Sequence, residues 1–482
     1  MKLKSTIIEP LPLRASAQDW NPAPHQEHCV KFLLKNAAGG ILIDPGMRKT
    51  SIALATFLLL KKKRIVLRML VVAPVRPCYL VWPKEGQKWK EFSGLRFVIL
   101  HDDQDGKKED KIKQDADIYV INPEGLGWLA KKGRARKLNA QVLCIDESSM
   151  FKRAKTVRFK ALKKVMKYID QRRWILTGSP APNGLMDLFG QIWILDYGRA
   201  LGEYISHYRM KYFSPSGYGG FNWQINEGAD KLIHKKIKHL TVSMKAEDHI
   251  KMPQLVNIKV DVELPPKAME KYREMEQELI TQVEGNEVTA FNAGTSMGKC
   301  SQIANGTVYD ENKKKVQVHT AKEEAVQEIV HELNGQPVLI AYEYDHDRDA
   351  LLRVFGKDTP DLGRCTMRES IKLEAAWNRG ELPILIGQPA SVGHGLNLQE
   401  SGNHIIWFSL IWNYEHYDQF IRRIRRSGQK AKRVFVHHLV AANTVDEVKM
   451  QVLEAKGNTQ NALFSALKTY LKSKKTSNIR RK

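Results

Sequence analysis

Lys49 and Thr50 stand where the apolar run of "ILIDPGMRKT" gives way to the helical pattern "KTSIALATFLLL". A strand, a tight loop and a Lys-Thr pair opening a helix can bind a triphosphate. Backbone N–H groups wrap the phosphates, the lysine neutralises them, and the threonine hydroxyl holds Mg2+. In that register the motif asks for Gly at 43 and 48, and the chain has Ile43 and Arg48. Only Gly46 of the loop remains, flanked by Pro45 and Met47. Alone, the segment fits a surface turn before a helix equally well. A second constellation is "VLCIDESS", in which an apolar strand delivers Asp146 and Glu147 at its carboxyl end. Adjacent residues on an extended chain point apart, so two acids can take two tasks. Asp146 would hold Mg2+ through water, and Glu147 would orient or deprotonate an attacking water. A third is "QFIRRIRRSGQ", where Arg423 and Arg426 lie three apart, on one face of a helix. A solvated basic helix is the plain alternative for that run. A guanidinium, however, suits charge on a transferring phosphoryl group through its planar fork of donors.

Such groups need rigid supports, and the chain has two regions that supply them. From Gly39 to about Tyr197, the runs 41–43, 69–74, 96–100, 118–122, 142–146 and 173–178 read as buried strands, with amphipathic stretches between several of them. Strands that are apolar throughout and alternate with helices imply a parallel sheet covered on both faces. A second alternating region has strand-like runs at 337–342, 383–388, 404–409 and 433–440. The expected fold class is α/β, as two tandem lobes with helical insertions between and around them. The first covers 1–255, including a basic helical insertion at about 198–255, and the second 256–460. A basic tail follows at 461–482. Residues 104–114 read as a solvated excursion. Two such lobes suggest a ligand bound between them at the carboxyl ends of their strands.

At 482 residues the chain is long enough for two or three domains. Lys plus Arg number 77 against 53 Asp plus Glu, a net charge of +24. That excess favours a polyanionic partner, nucleic acid before an anionic membrane. The five cysteines are scattered without a C-x-x-C pair, which argues against a disulfide framework or structural zinc and fits a reducing cytosol. No apolar run approaches membrane-spanning length, so a cytoplasmic protein without a membrane partner is expected.

The order of segments resembles the motif series of superfamily-two helicases. The series runs "PHQ" (24–26), "DPGMRKT" (44–50), "VVAPVRPCYLVWPKEGQKW" (71–89), "INPEGL" (121–126), "DESS" (146–149), "LTGSPAPN" (176–183), "SVGHGLNLQ" (391–399), "QFIRRIRRSGQ" (419–429) and "NTVDE" (443–447). In detail it resembles the Swi/Snf-type branch, whose signature is the Gln, two-arginine and Gly-Gln pattern followed by "TVDE". The compact "DPG…KT" and "DESS" forms, with "CSQIANGTVYD" (300–310), are similar to versions carried by phages and prophages. The resemblance spans about residues 20 to 450. It implies two RecA-like lobes forming a monomeric motor, which hydrolyses ATP with Mg2+ and tracks along double-stranded DNA, usually without separating strands. It implies that Gln26 reads the adenine edge, and that Gly46, Met47, Arg48, Lys49 and Thr50 form the phosphate loop. Asp146 and Glu147 keep the roles derived above. Thr177 and Ser179 would couple nucleotide state to nucleic acid. Gly395, Asn397 and Gln399 would line the cleft. Gln419, Arg423 and Arg426 would close on the triphosphate, the arginines as fingers.

Two departures from the family pattern stand out. Arg48 replaces the last loop glycine, and a bulky residue is strained there if φ must be positive. Arg422 and Arg425 replace smaller, acidic or His residues, which favours contact with DNA. The strongest nucleic-acid candidate is the segment 151–174, with ten Lys or Arg and one acid, Asp170. Phe159, Leu162, Val165, Met166 and Ile169 recur at helical spacing, leaving Lys152, Arg153, Lys155 and Arg158 among the cations for phosphate contact. Aromatic residues are sparse there, in keeping with a duplex more than a stacked single strand. His437-His438, Trp82 and Trp89 read as packing residues. Two other functions fit the same residues: a strand-separating or annealing helicase on branched DNA or RNA, and a non-hydrolysing DNA-binding scaffold disabled by Arg48.

Overall fold

The computed structural model describes residues 18–101, 105–182, 184–216, 222–284, 290–310, 312–392 and 395–455. They divide into a first unit ending at Lys251 and a second beginning at Met252. In chain order, the first unit has strands β1 (Ala38–Ile43), β2 (Met69–Val72), β3 (Phe97–Ile99), β4 (Ile118–Ile121), β5 (Val142–Asp146), β6 (Arg172–Thr177), β7 (Phe213–Ser216), β8 (Asn222–Ile225) and β9 (Thr241–Met244). β7 and β8 form a separate antiparallel hairpin. The other seven make one parallel sheet in the order β3-β4-β2-β5-β6-β1-β9. β2, β4 and β5 are buried along their whole length. Full burial of each Val, Leu or Ile stabilises the sheet by roughly 1.5–3 kcal/mol, which is why these strands read as unbroken apolar runs. β9 was not among the expected strands. It is an edge strand, and only Val242 of "TVSM" is buried, so its pattern is too weak to read.

The second unit has β10 (Gln254–Val262), β11 (Thr307–Tyr309), β12 (Lys315–Gln317), β13 (Val338–Ala341), β14 (Ile384–Gly387), β15 (His404–Trp407) and β16 (Arg433–Ala441). β11 and β12 form an antiparallel pair, and the rest make a parallel sheet in the order β10-β16-β15-β13-β14. β10 also escaped the sequence reading. "QLVNIKVDV" alternates polar and apolar residues over most of its length, the pattern of a half-buried strand, and β16 pairs with it along all nine positions. It crosses residue 255 and so belongs wholly to the second sheet.

The segment expected as a solvated excursion contains a helix, Asp105–Ile112, that buries Ile112. The basic segment after β5 forms the helix Val157–Met166, with Phe159, Leu162, Val165, Met166 and the following Ile169 all buried. His437 and His438 are packing residues, as expected. His438 meets the Tyr417 hydroxyl at 2.7 Å, and burial pulls its imidazole down to about 4. Of the cysteines, Cys29, Cys78, Cys144 and Cys300 are buried free thiols and Cys365 is half-buried. The tail at 461–482 and residues 393 and 394 lie outside the described residues. Among the described residues, no helix is long and apolar enough to cross a membrane.

Candidate active site

β1 ends at Ile43, and the loop 44–48 turns directly into the helix Lys49–Lys62. The turn uses two left-handed residues, Gly46 at φ 88 and Arg48 at φ 58. The motif's preference for glycine at 48 therefore has a local cause: an L-residue in that conformation costs about 1–2 kcal/mol. Arg48 is accommodated because its side chain leaves the loop, with the guanidinium carbon 5.7 Å from the centre of the Trp89 ring. Lys49 folds back across the loop, donating from Nζ to the carbonyls of Ile43 at 2.8 Å and Asp44 at 3.2 Å. A phosphate oxygen is a stronger acceptor than a carbonyl and can take over those bonds. Thr50 lies half-buried in the first turn of the helix.

Neighbouring elements fix the loop. The Asp44 carboxylate accepts the Ala246 N–H at 2.9 Å, tying the loop to the residues that follow β9. At the end of β6, Gly178 lies against Pro45 so closely that a Cβ would stand 2.6 Å from the ring. Met47 is fully buried and anchors the loop through its side chain. Gln26 is only 1% exposed. Its amide accepts the Ala23 N–H and donates to the Ser51 hydroxyl at 3.0 Å, so it braces the helix start.

Asp146 ends β5, and β6 alone separates β5 from β1. Two strand spacings put the loop and the acids about 10 Å apart at one edge of the sheet, enough for phosphates and a cation between them. Burial lifts the Asp146 carboxyl to about 6, and the charge of Glu147 adds to the lift. The Trp82 indole, Lys49 and the Glu147 N–H act in the opposite direction. Glu147 is left-handed, at φ 54, and opens the short helical turn Ser148–Phe151. The two acids are thus set apart by a sharp turn of the chain, not by an extended backbone as the sequence suggested. A hydroxyl and a carboxylate are hard oxygen donors that fit Mg2+, and Lys49 fits the phosphates.

Two residues here escaped the sequence reading. Trp82 donates its indole N–H to Asp146 at 3.0 Å, and Gln191 accepts the Ser148 hydroxyl at 2.7 Å. Gln191 also donates to the Pro180 carbonyl, joining the segment after β5 to the one after β6. A lone amide in the apolar helix Leu188–Asp196 was the available signal.

The residues expected at nucleic acid divide into two groups. Arg153, Lys155 and Arg158 are exposed, and Lys160, Lys163, Lys164 and Lys167 extend the same cationic surface. Arg158 lies 3.7 Å from Glu124. Lys152 is instead largely covered and pairs with Asp187 at 3.5 Å. Thr177 is fully buried and accepts the Ser179 N–H, so it supports the loop after β6 from inside.

In the second unit the helix Tyr414–Ile421 stops before the arginines. Arg423 and Arg426 therefore lie in the turns beyond it and do not share a helix face. Beyond the helix, the segment 396–397 supplies partners for both side chains. Arg423, 8% exposed, donates to the carbonyls of Leu396 and Gln419, both at 3.1 Å, while its own carbonyl accepts the Leu398 N–H. Arg426 donates to the Asn397 side chain. Gly395 is left-handed at φ 79, Gln399 is half-buried, and Gln419 is buried with its amide 3.4 Å from Glu415. The structure thus joins the 395–399 and 419–426 motifs inside one unit. Arg422 pairs with Asp418 at 2.6 Å, and Arg425 holds the Pro253 carbonyl at 3.0 Å, before β10. Both therefore have partners within the second unit.

Residues 25–322 match the family model of the SNF2-related domain, more than half of the chain. The chain belongs to the SNF2-related family. It is 33% identical over 465 residues to protein p41 of Acyrthosiphon pisum secondary endosymbiont phage 1, covering 93% of this chain and 99% of p41. Human DNA repair and recombination protein RAD54B is 30% identical over 210 residues, which is 40% of this chain and 22% of RAD54B. The solved Sulfolobus solfataricus SWI2/SNF2 ATPase core in complex with dsDNA is 23% identical, with a TM-score of 0.44 over 92% of this chain and 93% of that one. The two parallel-sheet units are the RecA-like lobes of an SNF2-family ATPase core, with the ATP-binding and hydrolase character of that family.

The fate of Arg48 in this SNF2-family loop is testable. Arg48→Gly relieves the left-handed strain, but loses about 0.5–1 kcal/mol to glycine's backbone entropy and a similar amount with the Trp89 contact. Melting temperature is expected to change by only a few degrees. ATP turnover is expected to stay within about a hundredfold of wild type, equivalent to roughly 2.7 kcal/mol of barrier. A larger change in steady-state turnover would show that Arg48 acts directly on the phosphates.

Proposed function

We propose that the chain is a DNA-stimulated ATPase motor that moves along double-stranded DNA without sequence preference. The observation that carries this reading is the placement of the lysine loop and the acid pair on β1 and β5, at the carboxyl edge of one parallel sheet with β6 between them. In this proposal Gly46, Lys49 and Thr50 cradle the β- and γ-phosphates, and Asp146 with Thr50 holds Mg2+. When bound, Mg2+ supplies charge neutralisation at the phosphate oxygens. Glu147 orients and deprotonates the attacking water. Arg423 and Arg426, supported by Asn397 and Gln419, supply cations as charge develops on the γ-phosphate.

The duplex is taken by the exposed cations of residues 153–167. Long basic side chains meet phosphates and carry no base readout, so binding is insensitive to sequence and weakens with salt. Steady-state ATP turnover measured with blunt duplex, single-stranded DNA and RNA tests the first half of the reading. Duplex is expected to raise turnover most, with the gain shrinking as salt rises. Displacement of a third strand from a triplex, without unwinding of a fork, tests movement. Turnover that duplex leaves unchanged overturns the reading, and efficient fork unwinding replaces it with a strand-separating one.

A further inference from the structure

Trp82 opens the short helix Trp82–Lys88 and is fully buried. The chain reaches it from β2, which pairs with β5 through Val72 and Ile145, so the residues after β2 rise beside the carboxyl end of β5. The indole Nε1 donates to Asp146 Oδ2 at 3.0 Å, and Asp146 Oδ1 accepts the Glu147 N–H at 3.1 Å. Each carboxylate oxygen therefore has a donor fixed by the fold. Together they set the plane and rotation of the group and leave the remaining lone pairs for a cation or its water.

Packing alone does not account for this contact. The buried indoles of Trp174 and Trp407 have no N–H partner, and that of Trp377 uses the Leu398 carbonyl. A buried Trp in this protein does not require a carboxylate. A buried carboxylate, by contrast, is costly without donors. We propose that Trp82 is a positioning residue for the divalent-cation site, its indole N–H holding the Asp146 carboxylate in the orientation that takes Mg2+ with bound nucleotide. The proposal rests on Asp146 being a Mg2+-holding residue. Outer partners of metal ligands set ligand direction, and their loss typically weakens metal binding about 10- to 100-fold.

The test is equilibrium binding of a fluorescent ADP analogue to the full chain, titrated with Mg2+ and repeated in EDTA. Trp82→Phe keeps an aromatic ring and removes the donor. Benzothienylalanine at position 82 keeps the two-ring outline and replaces the N–H by sulfur, which serves if the phenylalanine variant does not fold. With either variant, the Mg2+ concentration at half-saturation is expected to rise about tenfold or more. Affinity in EDTA stays within about twofold of wild type, because the phosphate loop is untouched. A half-saturation point equal to wild type, or an equal loss of affinity with and without Mg2+, overturns the positioning role. If wild type itself shows no Mg2+ dependence, the assignment of Asp146 falls first and this inference with it.

Discussion

Glu147→Gln protein is expected to bind ATP normally and to hydrolyse it roughly a hundredfold to ten-thousandfold more slowly, the range associated with loss of a general base. Glutamine keeps the size of the side chain and can adopt the left-handed backbone that Glu147 holds at φ 54 between β5 and the turn 148–151. What it loses is the ability to take a proton from water. A fluorescent-nucleotide titration should overlay wild type while single-turnover phosphate release collapses. The carboxylate beside it gives a second signature. Glu147 is among the groups that raise Asp146, after burial itself, so removing its charge lowers the Asp146 carboxyl towards its usual range. Asp146 is then ionised over a wider pH range, and Mg2+-dependent nucleotide binding should persist to lower pH in the variant. Turnover within tenfold of wild type would place the base elsewhere.

Lys49→Ala should cost about a hundredfold to a thousandfold in kcat/KM for ATP, or roughly 2.7–4 kcal/mol, the effect of removing one preorganised donor from developing charge. The loss should appear in nucleotide affinity as well as in turnover, unlike that of Glu147→Gln. Stability is expected to change little. The bonds lost from the nucleotide-free protein include the side-chain contacts to the Ile43 and Asp44 carbonyls, each worth about 1 kcal/mol net. The loop keeps its other anchors, the buried Met47 and the Asp44 bond to Ala246. A melting temperature close to wild type with lost nucleotide binding separates the chemical role from folding. Unchanged kcat/KM would remove Lys49 from the site.

Within the candidate site, legibility followed the distance over which each feature is encoded. Lys49, Asp146 and Glu147 were readable because each sits at a junction of strand and loop marked by an apolar run of a few residues. Trp82 read as packing because its partner lies 64 positions away. Nothing in "PHQ" reveals that the Gln26 amide meets Ser51 and Ala23. The arginine pair reads as one helix face because local spacing does not register that the helix ends at Ile421 and that Arg423 meets the distant Leu396 carbonyl. β9 has a faint pattern because it buries only Val242, whereas β10 carries a legible alternation but straddles the boundary expected at residue 255.

The α/β class, the buried central strands, the cationic surface and the motif order are legible along the chain, because hydrophobic periodicity and charge are local properties. Tertiary contacts alone bend Arg48 left-handed towards Trp89, bring the Trp82 indole to Asp146, and give Lys152, Thr177, Arg422 and Arg425 their partners within the fold. Those outcomes depend on which donors and acceptors meet across distant segments. A buried polar group must find such a partner or bear the cost of desolvation, and the chain folds so that most of them do.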